Sequence, residues 1–389
     1  MVPELSRQVH IVGFTTKARF IAHSLAPVPY LPPIKILAHN HPSIASKWLK
    51  EGRAIDLYDA QGRFISSHPI LCPEYIGPRV DSPLVVHYEG GLLDNIIINT
   101  STTALYPTLR ALRHAIDNRT ILCVVHEGLG YIEKLNEDVF DDPAVRPTYV
   151  LGHLTHLLSR HVDKAMSLRN KRRDGQFLIS AVQREARTTI EDIQRQHFLG
   201  LLSTSRALEP VGMGWPQFLH RKLPDMIWSS VADVVSVILG CRYDQIFHDM
   251  HAKKLWNGLL EETIPIVAAL PEFEGQAGWA EHFTDPEFRA GLRKRLEARG
   301  PTYSPWISLI RRGDITPVDF VNGYFVRRAE ELGLDCKVNK LVVSMVKARH
   351  QARAAELRGD IPFSLRPYML DGDKLGGKEF EDVDTELDF

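Results

Sequence analysis

Over residues 8–160, short apolar runs alternate with stretches whose apolar positions recur at helical spacing. Gln8–Gly13 (QVHIVG) reads as a buried strand, and Lys17–Leu25 follows with a helical pattern. Ile34–Ala38 (IKILA) predicts a second strand. Ala54–Tyr58 and Arg63–Ser66, joined by Asp59-Ala-Gln-Gly62, predict a hairpin. Leu84–His87, Asn95–Thr100 (NIIINT), a helix over 102–116, the strand Thr120–Val125, a helix from 130 and the strand Thr148–Gly152 complete the series. Strands that are apolar along their whole length and separated by helices predict a parallel sheet covered on both faces.

From about residue 185 the texture changes to helices without strands, over 185–200, 225–240, 244–270, 286–298, 317–333 and 338–357. Thr316-Pro-Val-Asp319 predicts a helix start, with Thr as N-cap and Pro at the first helical position. Residues 168–176 (LRNKRRDGQ) read as a basic, polar connection. The expected organisation is therefore a Rossmann-like α/β domain over 1–200 and an all-α domain over 201–360. A Gly-rich and then acidic tail, expected to be disordered, follows over 361–389.

Length and composition agree with two folded domains: 389 residues, 44% hydrophobic and 24% charged, exclude a single small domain or a mostly disordered chain. Lys plus Arg number 47 against 48 Asp plus Glu, so no chain-wide basic surface exists for nucleic acid. Three local basic clusters remain: Arg169-Asn-Lys171-Arg172-Arg173, Arg293-Lys294-Arg295 with Arg299, and Arg311-Arg312 near Tyr303 and Trp306. The four cysteines form no CxxC and point to a reducing compartment, with Cys123 and Cys241 as core thiols. No apolar run is long enough for a membrane span. The strand pattern begins by residue 8, which predicts neither a signal peptide nor an Arg-rich transit peptide. His153/His156 and His248/His251 sit three apart, but neither pair is part of HExxH, and structural roles are expected for them. The chain contains neither G-x-S-x-G nor a P-loop.

The first strand-to-helix turn carries the main chemical signal. Gly13-Phe-Thr15-Thr-Lys-Ala18 matches the first and third positions of the dinucleotide fingerprint G-x-G-x-x-G/A, with Gly13 for the tight turn and Ala18 for close helix packing. Thr15 replaces the middle glycine, and its side chain enters the space a pyrophosphate needs. After the second strand stand His39-Asn40-His41, a poor match to an NADP 2′-phosphate site.

Several segments together resemble the ketopantoate reductase (2-dehydropantoate 2-reductase) family across about residues 8–355. They are the first strand–turn–helix, Asn95–Thr100, His126-Glu-Gly-Leu-Gly130, and Asp319-Phe-Val-Asn322-Gly323-Tyr-Phe-Val-Arg327-Arg328-Ala with Gly333–Asn339. The resemblance implies a Rossmann-like sheet domain followed by a helical domain of the 6-phosphogluconate-dehydrogenase C-terminal type. It implies NADP near Gly13, Thr15, Ala18, Thr102 and Glu127, and a substrate cleft with Ser229, Asp233, Ser304 and Asn322.

The same comparison places the family's catalytic lysine on Asp225, its two substrate asparagines on Ser229 and Asp233, and its nucleotide-domain lysine on Thr102. The asparagine of the family's H-N-G falls on Glu127 and the substrate glutamate on Pro317. An acid at the lysine position is a charge reversal that cannot stabilise a developing alkoxide. Lys222 lies three residues earlier, and Pro224 beyond it argues against its substituting. These losses resemble a branch of the superfamily, the fungal mitochondrial translational activators of cytochrome b messenger RNA. That similarity involves Val9–Asn40, Leu223–Ile246 and Val321–Val346. It implies a protein without turnover, in mitochondria, with a mitochondrial ribosome or mRNA as partner. The alternative is an NADPH-dependent 2-dehydropantoate 2-reductase with a remodelled site.

Overall fold

The computed structural model describes residues 5–38, 44–78, 85–86, 88–161, 163–171, 174–181 and 189–359. His39-Asn40-His41, Arg172-Arg173 and the expected tail lie outside these residues. The chain divides into two compact units, with the boundary between Lys222 and Leu223.

In the first unit, β1 (Val9–Val12) leads into α1 (Thr16–Leu25), β2 (Lys35–Ala38), α2 (Ile44–Lys50) and the hairpin of β3 (Ala54–Asp59) and β4 (Phe64–Pro69). Then come β5 (Glu74–Tyr75), the small ribbon β6 (Gly77–Pro78) and β7 (Val85–Val86), β8 (Asn95–Ile98), α3 (Thr102–Leu112), β9 (Ile121–Val124), α4 (Tyr131–Asp138) and β10 (Thr148–Leu154). The unit continues with β11 (Leu158–Arg160), β12 (Leu168–Asn170), β13 (Phe177–Ala181), α5 (Thr189–Ser203), β14 (Pro210–Gly212) and the start of α6 (Trp215–Leu239).

The main sheet has the order β14-β13-β10-β9-β8-β1-β2-β5, parallel except where β10 meets β13. Strands β1, β8 and β9 are buried at every position, which is why they read as unbroken apolar runs. From β1 the chain crosses to β2 on one side and later to β8 on the other. The carboxyl ends of β1 and β8 are therefore the topological switch point, where open α/β sheets bind ligands.

A second sheet of four strands, in the order β11-β12-β3-β4, lies beside the first unit's core. Ile55, Leu57 and Leu168 on one of its faces pack with Phe20 and Ile21 of α1. Here the structure corrects the reading of 168–176 as a connection, since Leu168–Asn170 pairs in parallel with Leu57–Asp59. Three residues with a single apolar anchor give too short an alternation to be seen in sequence.

The expected strand-free region beyond 185 is corrected as well. Strand β14, made of Pro, Val and Gly, pairs with β13, and Phe198, Leu201, Leu202 and Leu208 join the sheet's hydrophobic core. That packing places the unit boundary beyond residue 200.

The second unit holds the rest of α6 with α7 (Met250–Ala268), α8 (Trp279–Thr284), α9 (Pro286–Arg299), α10 (Pro305–Arg312), α11 (Asn322–Leu332) and α12 (Lys337–Arg358). Thr316 precedes a 3-10 turn at Pro317–Asp319, and its side chain makes no capping bond, contrary to expectation. The N-terminus of α12 is capped instead from α7, where the Glu262 carboxylate accepts from Val338 N at 2.7 Å and Asn339 N at 2.9 Å. Among the described residues, no helix is long and apolar enough to cross a membrane.

Candidate functional site

At the switch point, Gly13 has φ of +112°, and a Cβ there would lie 2.0 Å from the Asn99 carbonyl oxygen. The first position of the turn therefore has to be glycine, because the β1 turn passes directly over the end of β8. Thr15 is the N-cap of α1, and its Oγ1 accepts from Ala18 N at 3.0 Å. The same hydroxyl donates to Asn99 Oδ1, and Asn99 Nδ2 donates to the Val125 carbonyl. Thr15 is 1% exposed. One side-chain bridge thus ties together the carboxyl ends of β1, β8 and β9.

A pyrophosphate cradle asks for a tight turn, close helix packing and open backbone between them. Gly13 and Ala18 meet the first two requirements. Thr15 does not meet the third, since its side chain fills the turn and caps the helix end that phosphate would use. The turn does not fit the pyrophosphate of NADP in the manner the fingerprint describes.

The neighbouring loops carry the other candidate nucleotide residues. Thr102 opens α3 and is half-buried, behind Ser101, whose Oγ accepts from Ala104 N at 3.2 Å. Glu127 is exposed, whereas His126 beside it is buried. His126 Nε2 accepts from Thr100 N at 3.4 Å, and the ring packs on Tyr131.

A residue discounted in the sequence enters at this point. Helix α6 starts at Trp215 and runs unbroken through Pro224, so the proline does not displace Lys222. Lys222 is 3% exposed and its Nζ donates to the His126 carbonyl at 2.9 Å. The signal was present, because Phe218, Leu219, Leu223, Met226 and Ile227 repeat at helical spacing and are all buried. Read as a helix breaker, Pro224 hid that pattern.

In the second unit, α6 presents Asp225, Ser229 and Asp233 at intervals of one turn. Asp225 pairs with Arg295 of α9 at 2.5 Å, and that guanidinium also stacks over Trp228 at 4.6 Å. Asp233 is 3% exposed and is the centre of a hydroxyl cluster. Its Oδ1 accepts from Tyr243 OH at 2.5 Å and from Ser304 Oγ at 2.8 Å, while Oδ2 accepts from Ser229 Oγ. Ser304 is also the N-cap of α10, accepting from Trp306 N at 3.1 Å. Burial and the adjacent Asp233 carboxylate hold the Tyr243 hydroxyl well above its usual pKa.

The structure thus gathers Ser229, Asp233 and Ser304 and adds Tyr243, which the sequence did not suggest. Asn322 stands apart from this cluster. Fully buried, it donates through Nδ2 to the Ser230 carbonyl at 2.8 Å and to Asn339 Oδ1 at 3.1 Å. Its amide ties α11 to α6 and α12.

Among the described residues, no group of three or more His, Cys, Asp and Glu side chains is placed to hold a metal. His156 packs on Phe20 and pairs with the Ala207 carbonyl, a structural role. Burial pushes the Cys123 thiol far above its usual pKa, as expected of a core cysteine.

Residues 217–350 match the family model described as "Ketopantoate reductase PanE/ApbA C terminal". The 2-dehydropantoate 2-reductase of Saccharomyces cerevisiae is 23% identical over 334 residues, covering 77% of this chain and 83% of its own. Of solved structures, the 2-dehydropantoate 2-reductase from Geobacter metallireducens GS-15 superposes with a TM-score of 0.61 at 14% identity. It covers 88% of this chain and 99% of its own. D-mandelate dehydrogenase with NADH and anilino(oxo)acetate gives 0.58 at 14% identity, over 89% and 99% of the two chains. With a Rossmann-type sheet unit, a helical unit and these similarities, the chain has the ketopantoate reductase family fold.

Proposed function

We propose that this chain is a non-catalytic protein on the ketopantoate reductase fold, acting by binding in mitochondrial gene expression. The observation that carries the reading is the Thr15–Asn99 bridge, which fills the turn where a reductase would seat its nucleotide. Without a seated dinucleotide there is no hydride to transfer. The Asp233 cluster supports the same reading. The hydroxyls expected to face a substrate are directed at a buried carboxylate, and that carboxylate would repel the anionic end of a 2-oxo acid. The mitochondrial partner, ribosome or mRNA, comes from the sequence resemblance to the translational activators.

Titration with NADPH, followed by assay of ketopantoate-dependent NADPH oxidation, tests the non-catalytic half. Pull-down of the full chain from mitochondria tests the partner. Recovery of ribosomal proteins or one transcript is the expected result.

A second reading is favoured by Lys222. Its buried ammonium at the His126 carbonyl is a proton donor one helical turn before the position the resemblance gives to the catalytic lysine. The relatives named as 2-dehydropantoate 2-reductases support a reductase of that class with a reshaped site. On that reading Lys222→Met abolishes turnover; on the first there is no turnover to abolish.

A further inference from the structure

The three basic clusters have different fates in the folded chain. Arg293 pairs with Glu297 at 2.9 Å, Arg295 with Asp225 at 2.5 Å and Arg312 with Asp314 at 3.0 Å, so much of the second and third clusters is neutralised locally. Trp306, a candidate for stacking, is 1% exposed and belongs to the core. Of the first cluster, Arg169 is on the four-stranded sheet, on the face turned away from α1.

That face is built by cross-strand partners. Arg169 of β12 pairs with Tyr58 of β3, and Tyr58 with Phe64 of β4, so the three share one side of the sheet. Phe64 meets Tyr58 edge-on at 5.9 Å and is 59% exposed, an unusual position for a phenylalanine. His161 packs at a tilt against the Tyr58 ring, with centroids 4.6 Å apart. Lys164 Nζ donates to Tyr58 OH at 3.0 Å and Asp56 Oδ2 at 2.9 Å. Arg169 Nε is buried without a hydrogen-bond partner. Lys171 is exposed just beyond β12, whereas Arg63, which precedes β4, is paired with Asp59 on the Leu57 side of the sheet. Lys164 and Arg169 are on this face and Lys171 stands just beyond β12, while Asp56, on the same side of β3 as Tyr58, is paired with Lys164.

Phe64 is exposed, while Tyr58 and His161 are half-buried. Aromatic rings on a β-sheet, flanked by Arg and Lys, are the arrangement that stacks unpaired bases and neutralises their phosphates. We infer that this face binds single-stranded nucleic acid, with bases on Phe64, Tyr58 and His161 and phosphates at Lys164, Arg169 and Lys171. The inference names the contact surface of the RNA-directed function proposed above and rests on that reading.

The test is fluorescence anisotropy of the full chain with a labelled oligouridylate and a labelled oligothymidylate. The wild type binds the RNA, and the DNA arm shows whether the sugar is discriminated. Phe64→Ala weakens binding about five- to hundredfold while Phe64→Tyr preserves it, since stacking depends on the ring. Arg169→Gln and Lys171→Gln each reduce the slope of log affinity against log salt by about 0.7. Arg312→Gln leaves it unchanged.

Failure of both oligonucleotides to bind overturns the inference, as does wild-type affinity in Phe64→Ala with an unchanged melting temperature. If RNA binds but ignores Phe64, the surface is wrong while the RNA function stands. If Phe64→Ala instead dissolves a dimer on size exclusion without affecting RNA, the face joins two copies of the chain and the inference is refuted.

Discussion

Replacing Asp233 by alanine distinguishes a structural hub from an open substrate site. The carboxylate accepts three hydroxyl donors in a buried setting: Tyr243 OH at 2.5 Å, Ser304 Oγ at 2.8 Å and Ser229 Oγ. Its removal leaves three buried hydroxyls without their acceptor, and each orphaned group costs about 1–3 kcal/mol. One of these costs is partly recoverable, because Ser229 can turn its hydroxyl to a helix carbonyl. Ser304 Oγ still accepts from Trp306 N, but its own proton has lost its acceptor. The relieved desolvation of the carboxylate offsets a further part.

The expected net loss is therefore about 3–5 kcal/mol for Asp233→Ala. It is about 1–2 kcal/mol for Asp233→Asn, which keeps one acceptor oxygen. At roughly 2–4 °C per kcal/mol, the alanine variant should melt roughly 6–20 °C lower. Urea unfolding followed by tryptophan emission reads this locally, because Trp228 packs against Tyr243 with ring centroids 5.4 Å apart. A loss under about 1 kcal/mol in the alanine variant, or asparagine more harmful than alanine, would refute the idea that these hydroxyls are committed to Asp233.

Three further outcomes are expected. Gly13→Ala should cost about 3–5 kcal/mol in urea unfolding, from a strained positive φ and a Cβ driven against the Asn99 carbonyl; a variant as stable as wild type would mean the turn relaxes freely. Because the Tyr243 pKa is raised in the folded chain, its contribution to stability is complete below about pH 10 and is lost above it. Tyr243→Phe should therefore flatten the alkaline limb of a stability–pH curve, and an unaltered limb would speak against it. Burial lowers His10, His23 and His156 to about 4, so each stays neutral in the folded chain while the unfolded chain protonates near 6.5. Stability present above that pH should fall by up to about 3 kcal/mol per histidine between pH 6.5 and 4, and denaturation midpoints unchanged across this window would contradict these assignments.

Much of the architecture was legible because the parallel strands are buried on both faces. QVHIVG, IKILA, NIIINT and TILCVV stand out as continuous apolar runs, and Asp59–Gly62 marks the hairpin turn. Strands β11, β12 and β14 were not legible, since each has only three residues and forms through distant partners. The mismatch at Thr15 could be read from its Cβ alone, but the Asn99 partner that holds it lies 84 residues away. Ser304 and Asp233, 71 residues apart, came together through family resemblance, whereas Tyr243 had no local signal. Asn322 looked like a cleft residue because its motif is specific, yet a motif does not say whether an amide faces a ligand or a neighbouring helix. Lys222 was lost to a rule about proline that tertiary packing overrode: the buried face of α6 carries the helix across Pro224.

The central claim is that the first βα turn no longer seats a dinucleotide. Calorimetric titration of the full chain with NADPH, followed by addition of ketopantoate, addresses it directly. No saturable binding in the micromolar range and no ketopantoate-dependent NADPH oxidation is the predicted result. Micromolar binding with turnover would contradict the account and return the chain, with Lys222 as its acid, to the reductases.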